Sequence, residues 1–251
     1  MTSDMTQGMT VWRRAQPWLG TLVEIGVPQG GAHEGLVNQA IQDAFAVIAQ
    51  VHRCMSRFEP DSDVSRFHQA AVGEAVRING HTARVLALAE ELHDLTEGVF
   101  DVALGTGRWR LDQAHWFKLD ETTQVDLGGI AKGYAVDVAM TALQDRQIPV
   151  AWVNAGGDLR VMGTDLPVEL RDEQTGGVRP WARIRDAALA TSYFGVGAGS
   201  QLHGQTQAMH VTVAADRCAV ADALTKVVAR VGLEKAEPWL GFFQAQAWVH
   251  A

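Results

Sequence analysis

Val125-Asp126-Leu127-Gly128-Gly129-Ile130-Ala131-Lys132-Gly133-Tyr134-Ala135-Val136-Asp137 is the most informative stretch of the chain. A short apolar strand runs into two glycines and then into the start of a helix. Such a junction turns unpaired backbone N–H groups and the positive end of a helix dipole toward any nearby anion. Lys132 adds a mobile ammonium, and the combination suits a pyrophosphate. The spacing is neither that of a Walker A loop nor that of the dinucleotide GxGxxG pattern. In the plainer reading Gly128 and Gly129 make a turn and Lys132 is solvated.

Working outward, apolar residues at Leu36, Ala40, Ile41, Ala44, Phe45, Ile48, Val51 and Met55 recur at three- and four-residue spacing and predict an amphipathic helix. A second helix is predicted over Thr82 to Glu97, closed by Gly98. A third begins near Ile130 and ends before Pro149, and a last one spans Ala219 to Val231. Strands are predicted at Thr21 to Val27, where the chain enters β structure, at Val150 to Ala155, and around Val168 to Leu170, Ala182 to Ile184 and Val211 to Ala214. No linker, repeat or shift in composition divides the chain. The expectation is one compact α+β unit of two closely packed lobes over residues 1–251, with 1–10 as a disordered tail.

Asn154-Ala155-Gly156-Gly157-Asp158 is a second strand-to-glycine turn. Paired glycines let backbone approach a flat or charged ligand, and the alternative is a hairpin in which Asp158 makes an Asx turn. Gly195-Val196-Gly197-Ala198-Gly199 reads as a flexible loop, since no helix pattern follows it. In Ala221-Asp222-Ala223-Leu224-Thr225-Lys226 the acid and the lysine lie one helical turn apart. A lone carboxylate there can hold Mg²⁺, and the equal alternative is an ordinary i,i+4 ion pair. Ser56 to His68 mixes aromatics, arginines and hydroxyls and reads as a loop, either stacking on a ring or solvated.

The composition excludes several classes. With 21 Lys+Arg against 29 Asp+Glu the formal net charge is −8, which disfavours polyanionic partners such as nucleic acid. Cys54 and Cys218 form no CxxC or Cys/His cluster, so neither a disulfide framework nor a zinc site is indicated. No apolar run is long enough to span a membrane, and Met1 to Leu19 has no signal-like core. A soluble cytoplasmic protein is expected. Zincin and α/β-hydrolase motifs are absent from the sequence.

Taken together and in order, these segments resemble the ApbE family of FAD:protein FMN transferases. The resemblance runs from Leu19-Gly20-Thr21 through Ser56–Arg66, Gly98–Asp101, Asp126–Asp137, Asn154–Asp158 and Ala190-Thr191-Ser192 to Ala221–Leu224. It implies mixed and antiparallel sheets packed with helices. It also implies binding of FAD with Mg²⁺, and transfer of FMN to a Thr or Ser hydroxyl of a target flavoprotein with release of AMP. By position it implies that Gly128, Gly129 and Lys132 face the FAD phosphates, that Gly156 and Gly157 lie against the flavin or its ribityl chain, and that Phe58 stacks on a ring. Asn154, Asp158, Thr191 and Ser192 join the cofactor-binding set. Asp222 would ligate the metal together with the backbone carbonyl of Ala131, and Asp222, Lys132 and His203 would carry the chemistry.

The chain also departs from that family. Four positions after Asp222, where a small or hydroxyl residue is usual, stands Lys226, whose ammonium would either replace the cation or repel it. Gln201 to Thr206, with His203 as a remnant, stands in place of a longer histidine-rich stretch, Tyr193 replaces a glycine, and His68 replaces an asparagine. A flavin-binding relative without transfer activity, acting as a carrier or a slow FAD pyrophosphatase, is therefore the second reading.

Overall fold

The computed structural model describes residues 10–30, 33–171, 177–195 and 209–250. Two neighbouring strands, β1 (Val11–Trp18) and β2 (Thr21–Pro28), open the chain and pair antiparallel. β1 was not expected, because it is an edge strand. It has one neighbour only and exposes four successive residues, Arg14 to Pro17, so it carries Arg13, Arg14, Gln16 and Pro17 instead of an apolar alternation. Thr10 belongs with this pair rather than with a disordered tail, since its carbonyl accepts from Gln29 N–H at 2.8 Å. Residues 1–9 lie outside the described set.

α1 (Glu34–Met55) follows the predicted periodicity and buries Val37, Ile41, Phe45, Ile48 and Val51. The segment expected to be a loop after it folds half into a helix, α2 (Asp63–Gln69). Ser62 caps that helix through its Oγ, which accepts from Ser65 N–H at 3.0 Å. Next come β3 (Ala75–Arg77) and α3 (Gly80–Leu95), the latter capped by Asn79. The chain then makes β4 (Trp109–Asp112) and β5 (His115–Lys118), which with β3 form a three-stranded antiparallel sheet. Those three strands are too short to leave a periodic signal.

α4 (Ala131–Asp145) leads to β6 (Ala151–Ala155) and β7 (Asp158–Met162). A two-stranded flap, β8 (Leu166–Arg171) with β9 (Val178–Ile184), precedes β10 (Ala188–Phe194) and β11 (Met209–Ala215). α5 (Cys218–Val231), α6 (Leu233–Phe242) and β12 (Gln246–His250) complete the described chain. α6 was not expected: it buries only Ala236 and Leu240 and carries Pro238 internally. The main sheet runs β1-β2-β6-β7-β10-β11-β12, with every neighbouring pair antiparallel.

α4 and α5 hold the apolar interior together. One core cluster gathers Ile130, Tyr134 and Ala135 with α3, β5 and most of the buried face of α5. A second gathers Val136, Met140 and Leu143 with α1, β2 and β6. A third, with Trp152, Leu159 and Val168, fills the space between the other sheet face and the β8–β9 flap. The observed arrangement is thus α+β with antiparallel sheets, and it brings the N-terminal ends of α4 and α5 side by side.

Candidate functional site

The two helix starts can meet because residue 133 is glycine. A Cβ on Gly133 would lie 2.3 Å from the Cys218 carbonyl oxygen, so any other residue would force the helices apart. α5 has no side-chain cap of its own. Its leading N–H groups, those of Cys218 and Ala219, donate instead to the carboxylate of Asp137 on α4, each at 3.0 Å. Arg160 of β7 donates to the same carboxylate at 2.5 Å. Asp137 thereby ties α4, α5 and β7 into one support, a role not expected from the sequence although the residue closes its most informative stretch.

On that support sit two buried acids and two lysines. Lys132 reaches Asp158 Oδ2 at 2.5 Å and Asp222 Oδ2 at 3.5 Å. Gly133 N–H also donates to Asp222 Oδ2, at 3.3 Å. The Lys226 ammonium pairs with Asp222 Oδ1 and donates at 3.0 Å to both the Asp222 backbone carbonyl and Ser192 Oγ. Ser192 Oγ in turn lies 2.9 Å from Thr225 Oγ1. The Asp158 and Asp222 side chains are 1% and 0% exposed, whereas those of Lys132 and Lys226 are 29% and 17% exposed. Solvent therefore reaches this cluster through its lysines, with the carboxylates beneath.

The electrostatics follow from that layering. Burial pushes the Asp222 carboxyl up, but the ammonium groups of Lys132 and Lys226 outweigh it and hold the group at about 2. Burial and the charge of Asp222 raise Asp158 to about 6 against the opposing pull of Lys132. Burial alone would lower Lys132, yet Asp158 and Asp222 raise it well above the ordinary lysine range. Asp158 Oδ1 is buried without a hydrogen-bond partner.

Several expectations are corrected here. Lys132 is neither mobile nor merely solvated, because two carboxylates hold it. Four of the N–H groups at this junction are engaged within the protein: Gly128 donates to Asp126 Oδ1 at 2.8 Å, Ile130 and Ala131 donate to the Leu127 carbonyl, and Gly133 serves Asp222. Asp222 and Lys226 do form the i,i+4 pair, with its carboxylate fully buried and its ammonium partly exposed. Ala131, whose carbonyl was the expected second metal donor, is the first residue of α4 and is buried. Among the described residues no group of three or more His, Cys, Asp and Glu side chains is placed to hold a metal ion.

The second glycine turn is a hairpin. Ala155 pairs with Asp158 across Gly156 and Gly157, whose φ values of 63° and 105° suit a two-residue turn closed by glycine. Asn154, rather than Asp158, supplies the Asx contact, its Oδ1 accepting from Gly157 N–H at 3.2 Å. A Cβ on Gly156 would collide with Thr21. Thr191 N–H donates to the Gly157 carbonyl at 3.1 Å, which sets β10 and Ser192 beside the turn.

Phe58 is 82% exposed. Arg57, lying 4.9 Å from its ring centroid, bonds Asp126 at 3.2 Å and so ties the Phe58 segment to the residue whose other oxygen accepts from Gly128 N–H. His68, at the end of α2, accepts from Val125 N–H at 2.9 Å and steadies the strand that enters that turn. Burial lowers its pKa, in keeping with a neutral acceptor ring. Residues 196–208, including His203 and most of the Gly195–Gly199 segment, lie outside the described residues.

Comparison with known proteins gives concordant findings. The family model described as "ApbE family" matches residues 19–114 and 105–194. The chain is 25% identical over 184 residues to a Haemophilus influenzae protein named FAD:protein FMN transferase, covering 59% of this chain and 53% of that protein. It is 26% identical over 215 residues to a Vibrio cholerae protein of the same name, covering 70% and 64%. A Rhodobacter capsulatus protein so named is 29% identical over 207 residues, covering 66% and 36%. The matched region thus spans between about a third and two thirds of these relatives' lengths. Among solved structures, the flavin transferase ApbE from Vibrio cholerae superposes with a TM-score of 0.77 at 23% identity, over 95% of this chain and 93% of that one. A Thermotoga maritima protein named for the same family gives 0.78 at 20% identity, over 96% and 94%. These structural likenesses establish the fold.

Proposed function

The chain belongs to the ApbE family, and from that membership we propose that it binds FAD and passes the FMN portion to a Thr or Ser hydroxyl of an acceptor flavoprotein, releasing AMP. The observation that carries the reading is the exposure order of the charged cluster: buried Asp158 and Asp222 below, Lys132 and Lys226 toward solvent. An arriving pyrophosphate meets two ammonium groups whose positions the carboxylates fix in advance. The relatives named FAD:protein FMN transferase support the choice of FAD.

In the proposed step the acceptor hydroxyl oxygen bonds to the FMN-side phosphorus. The bond from that phosphorus to the bridging oxygen breaks, AMP leaves with the bridging oxygen, and the hydroxyl proton passes to solvent. Negative charge grows on the phosphoryl oxygens and the leaving group. Fixed cationic donors lower such a barrier because they need no reorganisation as the charge appears. Lys132 and Lys226 would be those donors, Phe58 would stack on a ring of the flavin nucleotide, and the Asn154–Asp158 hairpin would border the site. The two free cysteines, Cys54 and Cys218, agree with a reducing compartment, so the same proposal places the reaction in the cytoplasm. Among the described residues no helix is long and apolar enough to cross a membrane.

The divalent cation implied by the sequence resemblance does not fit the donors present. Both oxygens of Asp222 are engaged by N–H donors, two of them cationic. No step is assigned to a metal. That same observation favours the second reading, an FAD-binding relative that hydrolyses FAD slowly or carries it. Incubating the protein with FAD and following FMN and AMP by chromatography separates the two readings when an acceptor flavoprotein is included and flavin fluorescence is read on denatured protein. Covalent flavin on the acceptor supports transfer, FMN and AMP without it support hydrolysis, and intact FAD contradicts both chemistries.

A further inference from the structure

Asp222 lies at the centre of the site, fully buried, on the first turns of α5. A carboxylate that holds a divalent ion must aim at least one oxygen lone pair at it, and Mg²⁺ asks for six oxygen donors in near-octahedral array. Here Oδ1 is taken by the Lys226 ammonium, and Oδ2 by Gly133 N–H and Lys132. Lys226 is itself held in place. Its ammonium donates to Ser192 Oγ and to the Asp222 carbonyl, each at 3.0 Å. Its Cε lies 3.4 Å from the point where a side chain on Gly129 would begin, so the lysine stem runs across the bare Gly128–Gly129 turn. Ser192 Oγ and the Asp222 carbonyl thus both accept from Lys226; the unpartnered Asp158 Oδ1 belongs to a carboxylate whose other oxygen, like Asp222 Oδ2, is held by Lys132. A divalent ion on this carboxylate would have to displace one ammonium and sit against another.

We propose that the Lys226 ammonium holds the place of a divalent cation on Asp222, so that the protein's positive charge toward phosphate is built into the chain and binds no metal at that carboxylate. This deepens the flavin-nucleotide reading, and the assignment of Lys226 to phosphate rests on it. The exclusion of metal from Asp222 does not, and it is tested without flavin.

The probe is Mn²⁺ alone, with free ion followed by electron paramagnetic resonance, on the parent, Lys226→Thr and Lys226→Gln, and on all three combined with Asp222→Asn. Circular dichroism and an unfolding midpoint identify the folded variants, and two replacements of Lys226 guard against failure of either one to fold. The expected result is no Asp222-dependent Mn²⁺ site in the parent. In at least one folded Lys226 variant a single site should appear, at least tenfold tighter than any in the parent, and Asp222→Asn should remove it. A parent that binds one Mn²⁺ and loses it on Asp222→Asn overturns the proposal. Folded Lys226 variants that bind Mn²⁺ no better than the parent overturn it as well. Calorimetry of the parent with FAD is run in parallel: absence of FAD binding alongside the expected Mn²⁺ pattern would refute the flavin reading while leaving the lysine-for-metal assignment standing.

Discussion

Asp137 on α4 accepts the first N–H of α5, that of Cys218, at 3.0 Å, and in this way one helix caps the other. The neighbouring Ala219 N–H uses the second oxygen of the same carboxylate. Asp137→Ala removes both contacts and the partner of Arg160, so it should cost about 2 kcal/mol of stability, while Asp137→Asn, which keeps one acceptor, should cost less. Urea unfolding checks the order. Equal midpoints for all three proteins would show that the cap contributes nothing.

Gly133→Ala places a methyl group where the Cys218 carbonyl now sits. Overpacking of this kind should destabilise by about 1–3 kcal/mol and should also weaken FAD binding, since it separates Lys132 from Asp222. A variant with unchanged FAD affinity and unchanged unfolding midpoint would mean that the helix junction does not govern the site.

Phe58→Ala should leave the unfolding free energy within about 0.5 kcal/mol of the parent, because an exposed side chain has little packing to lose. FAD affinity should fall by about two- to twelvefold, the equivalent of ring stacking worth about 0.5–1.5 kcal/mol. Flavin fluorescence quenching reads the change. Equal affinity in the two proteins would remove Phe58 from the binding site.

Stability should carry an acid-side signature from the paired aspartates. Asp158 titrates at about 6 in the fold against roughly 3.9 in an unfolded chain. Its contribution is therefore fully present below about 4 and is lost as pH rises through about 6. Asp222, held at about 2, acts in the opposite sense: its contribution is present above about 4 and is lost as pH falls toward 2. Asp158→Asn should abolish the decline between about pH 4 and 6. Unfolding free energies measured across that range that fall as steeply in the variant as in the parent would refute the assignment.

What the sequence revealed and concealed has a physical pattern. α1 and α3 were legible because each buries one apolar stripe, α4 and α5 because they are apolar nearly all round where two cores meet, and β6 because it is apolar and stops before Gly156. β1 stayed hidden because an edge strand need not alternate, and β3 to β5 because three or four residues hold no period. At the site, Asp222, Lys132 and Lys226 were singled out from one motif and one helix. Their mutual contacts could not be read, because Asp158 and Asp222 are far apart in sequence and meet only where β7 passes the starts of α4 and α5. Asp137 was quoted only as the last residue of a motif. Its role depends on a neighbour 81 positions away, Cys218, a relation that no spacing rule reveals.

A crystal structure of the protein with FAD, grown with Mg²⁺ present, tests the central claim most directly. The account predicts pyrophosphate oxygens within hydrogen-bond distance, about 3 Å, of the ammonium groups of both Lys132 and Lys226, with Lys226 still paired to Asp222. FAD phosphates bound away from both lysines, or a Mg²⁺ ion on Asp222 with Lys226 displaced, would contradict it.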